Sequence, residues 1–421
     1  MTAKAENRTP WSYVPTTYFA EGLPYMLVNA LAVIIYKKMD VSNTLIAFWT
    51  SWLYLPWVIK MFWGPLVDMY STKRRWIVST QLFMAAAIAG CGLALVTGHF
   101  LAFTMVLFMA TAFLSATHDI AVDGFYMLSM SDEKQAFFVG IRAFFYRVAM
   151  LFSSGGLVVW AGWLEARTGS VPVSWQITLL SAAGILGLLA LYHKLFLPYP
   201  AADAPAAKTA DWGEFFRVFA AYFRMEGIGL GIVFILLYRF GEAMLIKLAA
   251  PFLLDKAEAG GMALTTAQYG MVYGTVGLIC LIVGSILGGV IISRYGLRRT
   301  IWPLALLLNA PDLFYVYMSY NTDLSLPFVY ALVALEQFGF GLGTTAFMFY
   351  LIQLTGDKYK TAHFAISTGI MALGMMLPGL VSGKLQDMVG YPTFFIVVCV
   401  ATVPGMLLIP FLKIKGGSAG A

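Results

Sequence analysis

The sequence contains little charge and very little cysteine or histidine. Only 11% of its 421 residues are Asp, Glu, Lys or Arg, with three cysteines and four histidines. A soluble domain carries about 25% charged residues, so this composition excludes an ordinary soluble protein. Cys91, Cys280 and Cys399 lie in apolar segments without the spacing of a metal site or a disulfide framework, and we expect neither.

Common catalytic and nucleotide-binding motifs are also missing. The chain has no Gly-x-x-x-x-Gly-Lys-Ser/Thr loop, no His-Glu-x-x-His and no Gly-x-Ser-x-Gly. We therefore expect neither an ATP-driven transporter nor an enzyme, and we expect no cofactor, so that an ion gradient drives any uphill transport. The first residues, MTAKAENRTPWS, do not have the pattern of a signal peptide.

Apolar sequence takes the place of charge. Hydrophobic residues make up 60% of the chain, in segments of about 20 residues separated by short polar loops. Barrel strands would be about 10 residues long and alternating, so the pattern predicts an all-α integral membrane protein. Twelve transmembrane helices are predicted, near 14–36, 44–66, 76–97, 100–128, 135–162, 176–197, 226–252, 266–292, 300–319, 325–352, 361–384 and 391–413.

Lys and Arg are distributed unevenly between the two sides of these helices. An even number of spans places both termini on one side, and that side holds most of the 27 Lys and Arg residues. The opposite side holds only Lys37, Lys38, Arg167, Lys256 and Lys384. Since cytoplasmic loops are rich in Lys and Arg, we expect cytoplasmic termini. The bias also explains the net charge of +6 without a nucleic-acid partner.

The chain divides into two predicted six-helix halves. A polar segment, PYPAADAPAAKTADWGE, follows span 6, which gives residues 1–197 for the first half, 198–225 for a cytoplasmic linker and 226–421 for the second half. The loop GPLVDMYSTKRR after span 2 is echoed by GGVIISRYGLRR after span 8. Two repeated halves of six helices are a transporter architecture.

The loop after span 2, with its Gly-x-x-x-Asp and Arg-Arg elements, resembles the major facilitator superfamily when taken with the twelve spans and the linker. The resemblance implies structural or gating roles for Asp68, Arg74 and Arg75 at the cytoplasmic face. The basic residues fit simple positive-inside anchors as well.

Four further strings resemble the AmpG-type muropeptide permeases and their acetyl-CoA-transporter relatives: YFAEGLPYML, SWLYLPWVIKMFWGPLVD, THDIAVDGF and EQFGFGLGTTAFM. The resemblance implies a monomeric, proton-coupled importer of anhydro-muropeptides (GlcNAc-anhydroMurNAc with or without peptide) in the bacterial inner membrane. The alternative is a proton-coupled symporter of an oligosaccharide, a siderophore or an acyl-CoA-like anion.

Charged residues inside the spans are candidates for the transport site, because a charge in lipid is unfavourable unless it is paired or faces water. Glu21 and Lys60 lie at similar depths in antiparallel spans 1 and 2, which predicts that they pair. Gly22 and Pro24 predict a kinked helix. Either this helix faces the pathway, with Glu21 as a proton or substrate site, or the pair and the kink are structural.

Span 4 carries two carboxylates one helical turn apart, Asp119 and Asp123. By depth, Asp123 is expected to meet Arg142 of span 5, and Asp119 to meet Arg147. Burial favours the neutral carboxyl and an arginine favours the ionised one, so either Asp could couple proton movement, or both could belong to a static network. His118 is expected to act in packing or hydrogen bonding.

The second half offers its own candidates. Arg239 and Glu242 of span 7 are one turn apart and are candidates for substrate binding: either they pair with each other, or Arg239 binds an anionic substrate group. Glu336 in span 10 is a second proton-site candidate or a partner for Arg239 or Lys247, and Gln337 is a candidate for substrate binding.

Aromatic side chains crowd the first two spans. Tyr25, Trp52 and Trp57 are candidates for stacking on sugar rings, although membrane interfaces collect Trp and Tyr in any case.

Overall fold

The structure is a computed structural model that describes residues 8–204, 212–355 and 359–414. All regular secondary structure in these residues is helical. The α-helices are α1 (Val14–Met26), α2 (Ala32–Lys38), α3 (Asn43–Trp52), α4 (Leu55–Ile59), α5 (Gly64–Tyr70), α6 (Lys73–Ala94), α7 (Phe100–Leu128), α8 (Asp132–Met150), α9 (Val158–Thr168), α10 (Val171–Phe196), α11 (Trp212–Phe223), α12 (Ile228–Tyr238), α13 (Phe240–Leu254), α14 (Thr266–Tyr269), α15 (Leu278–Tyr295), α16 (Leu297–Asn309), α17 (Asp312–Tyr320), α18 (Leu326–Leu354) and α19 (Lys360–Leu408).

These helices form the predicted twelve spans. Eleven helical segments of the described residues are long and apolar enough to cross a membrane. The last one, Ala362–Phe411, comprises two spans, because Gly390 in α19 has φ 74° and ψ 166° and breaks the helix. Spans 1, 2, 5, 7, 8 and 9 each contain more than one helix, whereas α6, α7, α10 and α18 form spans 3, 4, 6 and 10 unbroken. The expected all-α membrane architecture is confirmed.

Polar residues in the loops set where several helices begin. The Ser42 hydroxyl accepts a hydrogen bond from the Leu45 amide at the start of α3, and the Thr72 hydroxyl does the same for Arg75 at the start of α6. Thr265 and Gln268 form a capping box at α14. Inside spans 1, 5 and 8, short π-helical segments (Leu27–Leu31, Leu151–Leu157 and Gly270–Gly277) interrupt the α-helical hydrogen-bond ladder. Such segments are frequent at functional sites.

Two compact units make up the chain. Unit 1 consists of Met1–Met39 and Ile59–Ala210, and unit 2 of Asp40–Val58 and Asp211–Ala421. The predicted halves at 1–197 and 226–421, with a linker at 198–225, remain a prediction. The units differ from those halves chiefly at residues 40–58, since this first part of span 2 packs with unit 2.

In unit 1, the segment that follows span 6 is bound to the start of span 3. The Asp203 carboxylate accepts hydrogen bonds from the backbone amides of Lys73 (2.6 Å) and Arg74 (3.0 Å). A carboxylate at a helix N-terminus satisfies free N–H groups and complements the helix dipole. The Arg74 guanidinium lies 3.8 Å from the ring centroid of Tyr199 and donates to the Leu197 carbonyl. Arg74 therefore fastens elements of unit 1, while the Arg75 side chain is exposed.

In unit 2, α18 packs tightly between α15 and α16 because of three alternate glycines. A Cβ atom on Gly339 would lie 2.0 Å from the Leu307 carbonyl oxygen of α16, and one on Gly341 would lie 2.2 Å from the Leu281 oxygen of α15. Gly343 contacts α16 again. Successive glycines thus face different neighbours, and small residues let the helix backbones approach closely. Close packing, rather than a bend, accounts for the FGFGLG string, since α18 is continuous.

The α3 helix is held on α19 by glycines and by polar side chains. A Cβ atom on Gly383 would lie 2.1 Å from the Asn43 carbonyl oxygen. The Asn43 amide donates to Gln386 Oε1 (2.7 Å) and to the Tyr391 hydroxyl (2.9 Å), and that hydroxyl donates to Asp255 Oδ2 (2.6 Å). Buried polar groups linked in this way fix one register between two helices.

We predict opposite effects for alanine at two glycines of unit 2. Gly339→Ala would force a Cβ against backbone and is expected to destabilise the protein by about 1–3 kcal/mol. Gly289→Ala on α15 meets nothing within 4 Å, so it is expected to be neutral or to stabilise by up to about 1 kcal/mol. Thermal unfolding in detergent measures both. Equal unfolding temperatures for the two variants would contradict the packing described for α18.

Candidate functional site

The opening stretch of span 1 places a carboxyl inside unit 1. α1 runs through Gly22 and Pro24 without a break, and Glu21 is only 9% exposed. A Cβ on Gly22 would lie 2.9 Å from the Tyr146 carbonyl oxygen, so this glycine allows α8 to pack closely against α1. Pro24 has no N–H and leaves the Ala20 carbonyl without its helical donor. Gly22 therefore serves helix packing, and it does so directly beside Glu21.

A group of six polar side chains meets in unit 1, and we call it the unit 1 charge cluster. It contains Tyr18, Glu21, Lys60, Asp119, Asp123 and Arg142. The Lys60 ammonium forms an ion pair with Asp119. The Glu21 carboxyl lies beside that of Asp119, within hydrogen-bonding reach. Five of the predicted site residues from four different spans are thus brought together with one further partner, Tyr18.

The second ion pair of the cluster is bridged by a tyrosine. Arg142 Nη1 lies 3.0 Å from Asp123 Oδ1 and also donates to the Tyr18 hydroxyl at 3.0 Å. The Tyr18 hydroxyl donates in turn to Asp123 Oδ1 at 2.9 Å. The predicted pairing of Asp123 with Arg142 is confirmed. Tyr18 was not among the predicted site residues, although its position one turn before Glu21 places it on the same helix face.

Two of the predicted pairings are wrong. Lys60 pairs with Asp119 and not with Glu21, because span 2 is not one continuous helix: α3 ends at Trp52, and Lys60 begins a 3₁₀ turn that points it elsewhere. Arg147 has no ion pair with Asp119 among the described residues. Five residues separate it from Arg142, about 500° of helical rotation, so the two arginines face directions about 140° apart.

The unit 1 charge cluster is partly accessible. The side chains of Lys60 and Asp119 are 28% and 17% exposed, and those of Arg142 and Asp123 are 33% and 51% exposed. Charged side chains inside a membrane span face the interior of the helix bundle or a water-filled cavity, and not the lipid chains. The face of unit 1 that carries the cluster must therefore be reached by water, as a transport pathway requires.

Behind this face, a buried hydrogen-bond chain holds four spans together. Gln81 is 2.8 Å from His118 Nε2 through its Nε2 atom and 2.8 Å from His193 Nδ1 through its Oε1 atom. His193 Nε2 lies 2.9 Å from the Thr16 hydroxyl. His118 thus has the expected hydrogen-bonding role. Because it immediately precedes Asp119, the chain fixes the position of α7 at the cluster.

Unit 2 contains a cluster of its own, formed by three carboxyl side chains that are fully buried. Glu242, Asp312 and Glu336 are each no more than 1% exposed. The Gln337 amide donates to both oxygens of Glu336, at 3.1 and 3.0 Å, whereas both oxygens of Glu242 and of Asp312 have no hydrogen-bond partner among the described residues. Glu242 and Glu336 lie close enough to interact electrostatically, and Asp312 with both. We call these three residues the unit 2 carboxyl cluster.

Asp312 was not among the site residues predicted from the sequence. It lies inside the predicted span 9 and opens α17 directly after Pro311, where that span is interrupted. The signal for it was a carboxylate inside a predicted span.

The predicted Arg239–Glu242 pair is not hydrogen-bonded. Arg239 sits at the break between α12 and α13, with φ −111°, and its guanidinium lies 4.9 Å from the ring centroid of Phe340. Its Nε atom has no hydrogen-bond partner among the described residues. Arg239 lies near enough to act on Glu242 electrostatically, and the residue as a whole is partly exposed.

The remaining predicted residues are distributed over both units. Tyr25 lies in unit 1, its ring 6.4 Å from that of Tyr146, whereas Trp52 and Trp57 belong to unit 2. Trp52 packs near Tyr54 in a small apolar cluster of unit 2. The side chain of Asp68 lies outside the described residues, so its proposed structural role stays a prediction.

We predict that energetic coupling follows the observed pairs. Asp123→Asn and Arg142→Met, combined in one protein, should be non-additive by about 0.5–3 kcal/mol because each removes the partner of the other. Asp119→Asn with Arg147→Met is the matched control and should be additive within about 0.5 kcal/mol. Thermal unfolding of the purified variants gives both values. Coupling in the control pair would restore the predicted pairing of Asp119 with Arg147, and additivity in the first pair would contradict the contact of Asp123 with Arg142.

Comparison with known proteins agrees with this architecture. No family model matches the chain. It is 29% identical over 398 residues to the anhydromuropeptide permease of Escherichia coli K12, covering 93% of this chain and 77% of that protein. It is 22% identical over 413 residues to the putative transporter AmpG 4 of Rickettsia conorii, covering 94% of each.

Solved structures of transporters share the fold. A D-xylose-proton symporter superposes with a TM-score of 0.74 at 12% identity, over 97% of this chain and 98% of that one. The D323A mutant of the nucleoside transporter NupG gives 0.74 at 12% identity, over 95% and 98%. The relatives are permeases and transporters, so the chain is a multi-pass membrane transporter and not an enzyme. It has the major facilitator fold, and its resemblance to the AmpG-type permeases is confirmed over most of its length.

Proposed function

We propose that this transporter imports anhydro-muropeptides across the bacterial inner membrane in symport with protons, with both termini in the cytoplasm. The substrate class is supported by the resemblance to a curated anhydromuropeptide permease along 93% of the chain. The observation that carries the proton coupling is the contact of Lys60 with Asp119 beside the Glu21 carboxyl, on a face of unit 1 that is accessible to water.

The charges of the unit 1 charge cluster suggest how substrate and proton are linked. Three carboxyls, those of Glu21, Asp119 and Asp123, face two cations, those of Lys60 and Arg142. One bound proton makes the cluster neutral. A muropeptide carboxylate that bound Lys60 would add one negative charge, and a further proton would restore neutrality, which a site in a low-dielectric environment favours.

In this proposal the Lys60 ammonium changes partner during each cycle. A substrate carboxylate displaces Asp119 from Lys60, and the released Asp119 takes up the further proton beside the Glu21 carboxyl, which already holds the first. Loss of the substrate to the cytoplasm lets Lys60 return to Asp119, and the proton leaves on the same side. Asp123 stays bound to Arg142 and Tyr18 throughout, which holds α7 and α8 in place.

Alternating access fits the interrupted spans. In transporters of this kind the two bundles rock around a site near the middle of the membrane. Spans 1 and 7 are broken, by the π segment Leu27–Leu31 and at Arg239, and broken helices tend to line the cavity in transporters. Proton movement down its gradient then drives accumulation, without a cofactor.

Uptake into proteoliposomes tests the proposal. Labelled GlcNAc-anhydroMurNAc-tripeptide is supplied outside, with and without an imposed inward proton gradient, and protein-free liposomes serve as the control. We expect saturable uptake that accumulates above the outside concentration only with the gradient and stops with a protonophore. Absence of uptake by folded protein would refute the proposed muropeptide substrate. Uptake that was the same with and without the gradient would refute the proposed proton coupling.

We predict that Asp119→Asn separates exchange from accumulation. The amide cannot take up a proton, so the proton gradient should no longer drive accumulation, and the internal concentration should not rise above the outside concentration. Exchange of internal for external substrate should remain measurable, because Lys60 is still present. Asp323→Asn, in the exposed loop between spans 9 and 10, is the matched control and should accumulate substrate normally. Full accumulation by Asp119→Asn would exclude this residue as the coupling site.

A further inference from the structure

Unit 2 holds a buried lysine that the proposed mechanism does not use. Lys247 lies in α13 and is 2% exposed. The aliphatic part of its side chain passes over Gly379 of α19. A Cβ atom on that glycine would lie 3.1 Å from both Cγ and Cε of the lysine. The absence of a side chain at Gly379 therefore leaves room for Lys247, and the lysine ammonium reaches Thr50 of α3.

The ammonium has few partners. Lys247 Nζ donates to the Thr50 hydroxyl at 3.2 Å and lies 4.9 Å from the ring centroid of Tyr54. Within residues 8–204, 212–355 and 359–414, no carboxylate is paired with it. A hydroxyl and an aromatic face satisfy only part of a group that has three N–H donors and a full charge.

The carboxyls of unit 2 are directed elsewhere. Glu242 precedes Lys247 by five residues on the same helix, so the two side chains leave α13 about 140° apart. Asp312 and Glu336 interact electrostatically with Glu242 and not with Lys247. The lysine is thus separated from the unit 2 carboxyl cluster and forms a site of opposite charge.

Charged residues buried without a counter-ion inside membrane spans mark substrate or ion pathways. If Lys247 served only to bind α3 to α13, an apolar residue of its size would serve as well or better. Pro251, one turn later, lacks an N–H and leaves the Lys247 carbonyl free of the helical ladder. An ammonium and a free carbonyl at one helix turn together provide a donor and an acceptor for a ligand.

We propose that Lys247 is a carboxylate-binding subsite for the transported solute. The ligand carboxylate replaces Thr50 as the partner of the ammonium when α3 moves away from α13, and Tyr54 supplies an apolar face beside it. That the carboxylate belongs to a muropeptide rests on the proposed function. The subsite itself rests only on the surroundings of Lys247.

A minimal carboxylate tests the subsite without reference to muropeptides. Purified full-length protein is unfolded thermally in sodium acetate and in acetamide of equal concentration and matched ionic strength. We expect acetate to raise the unfolding temperature of the wild type by about 2 °C more than acetamide does, through mass action. Lys247→Met should abolish this difference, and Lys247→Arg should keep it. An unchanged difference in Lys247→Met, or none in the wild type, overturns the subsite.

Thr50→Val is the matched control for a structural role. It removes the protein partner of the ammonium and leaves the charge, so it should retain the acetate effect or increase it. If the lysine merely joins helices, Thr50→Val and Lys247→Met should behave alike, and the subsite falls. Lys247→Gln repeats the comparison should the methionine variant not fold.

Competition against muropeptide uptake links the subsite to the substrate. The unlabelled muropeptide acid and its carboxamide derivative are compared as inhibitors. We expect the wild type to prefer the acid by about 10-fold or more, and Lys247→Met to lose most of this preference. An unchanged preference would overturn the role of Lys247 in substrate binding. An acetate effect without muropeptide uptake would refute the proposed function while leaving the subsite, for a different carboxylate.

Discussion

The ion pair between Lys60 and Asp119 is the interaction on which this account depends. Two opposite charges in a membrane span are tolerated because they neutralise each other and because water reaches their face of unit 1. The Glu21 carboxyl beside them adds one charge too many, so the group can be neutral only with a bound proton. Helix packing keeps these residues together: Gly22 admits α8, and the Gln81 chain holds α7.

The two units handle buried charge in different ways. In unit 1, Asp119 and Asp123 are paired with Lys60 and Arg142, and these four side chains are partly accessible. In unit 2 the three carboxyls are fully buried, two of them have no hydrogen-bond partner among the described residues, and the lone ammonium of Lys247 points away from them. The paired side chains of unit 1 are 17–51% exposed, whereas the three carboxyls of unit 2 are no more than 1% exposed. The contrast suggests that the units contribute unequally to coupling and to substrate binding.

Much of the fold could be predicted from the sequence, because hydropathy directly reports helices that lie in lipid. The twelve spans follow from this, and the depth of residues in antiparallel neighbours was enough to pair Asp123 with Arg142. The same argument failed for Lys60, since it assumes a continuous helix and the α3–α4 interruption changes the direction of the side chain. Helical rotation, rather than depth, separates Arg147 from Asp119. Asp312 and the Lys247–Thr50 contact depend on packing between distant segments, which no local pattern encodes.

The most direct test of the central claim measures protons taken up when substrate binds. Purified protein in weakly buffered detergent solution is mixed with GlcNAc-anhydroMurNAc-tripeptide, and a pH indicator reports the change. If a substrate carboxylate displaces Asp119 from Lys60, close to one proton should enter the protein for each substrate bound. Binding without any proton uptake would contradict the exchange of partners at Lys60, whatever the rate of transport.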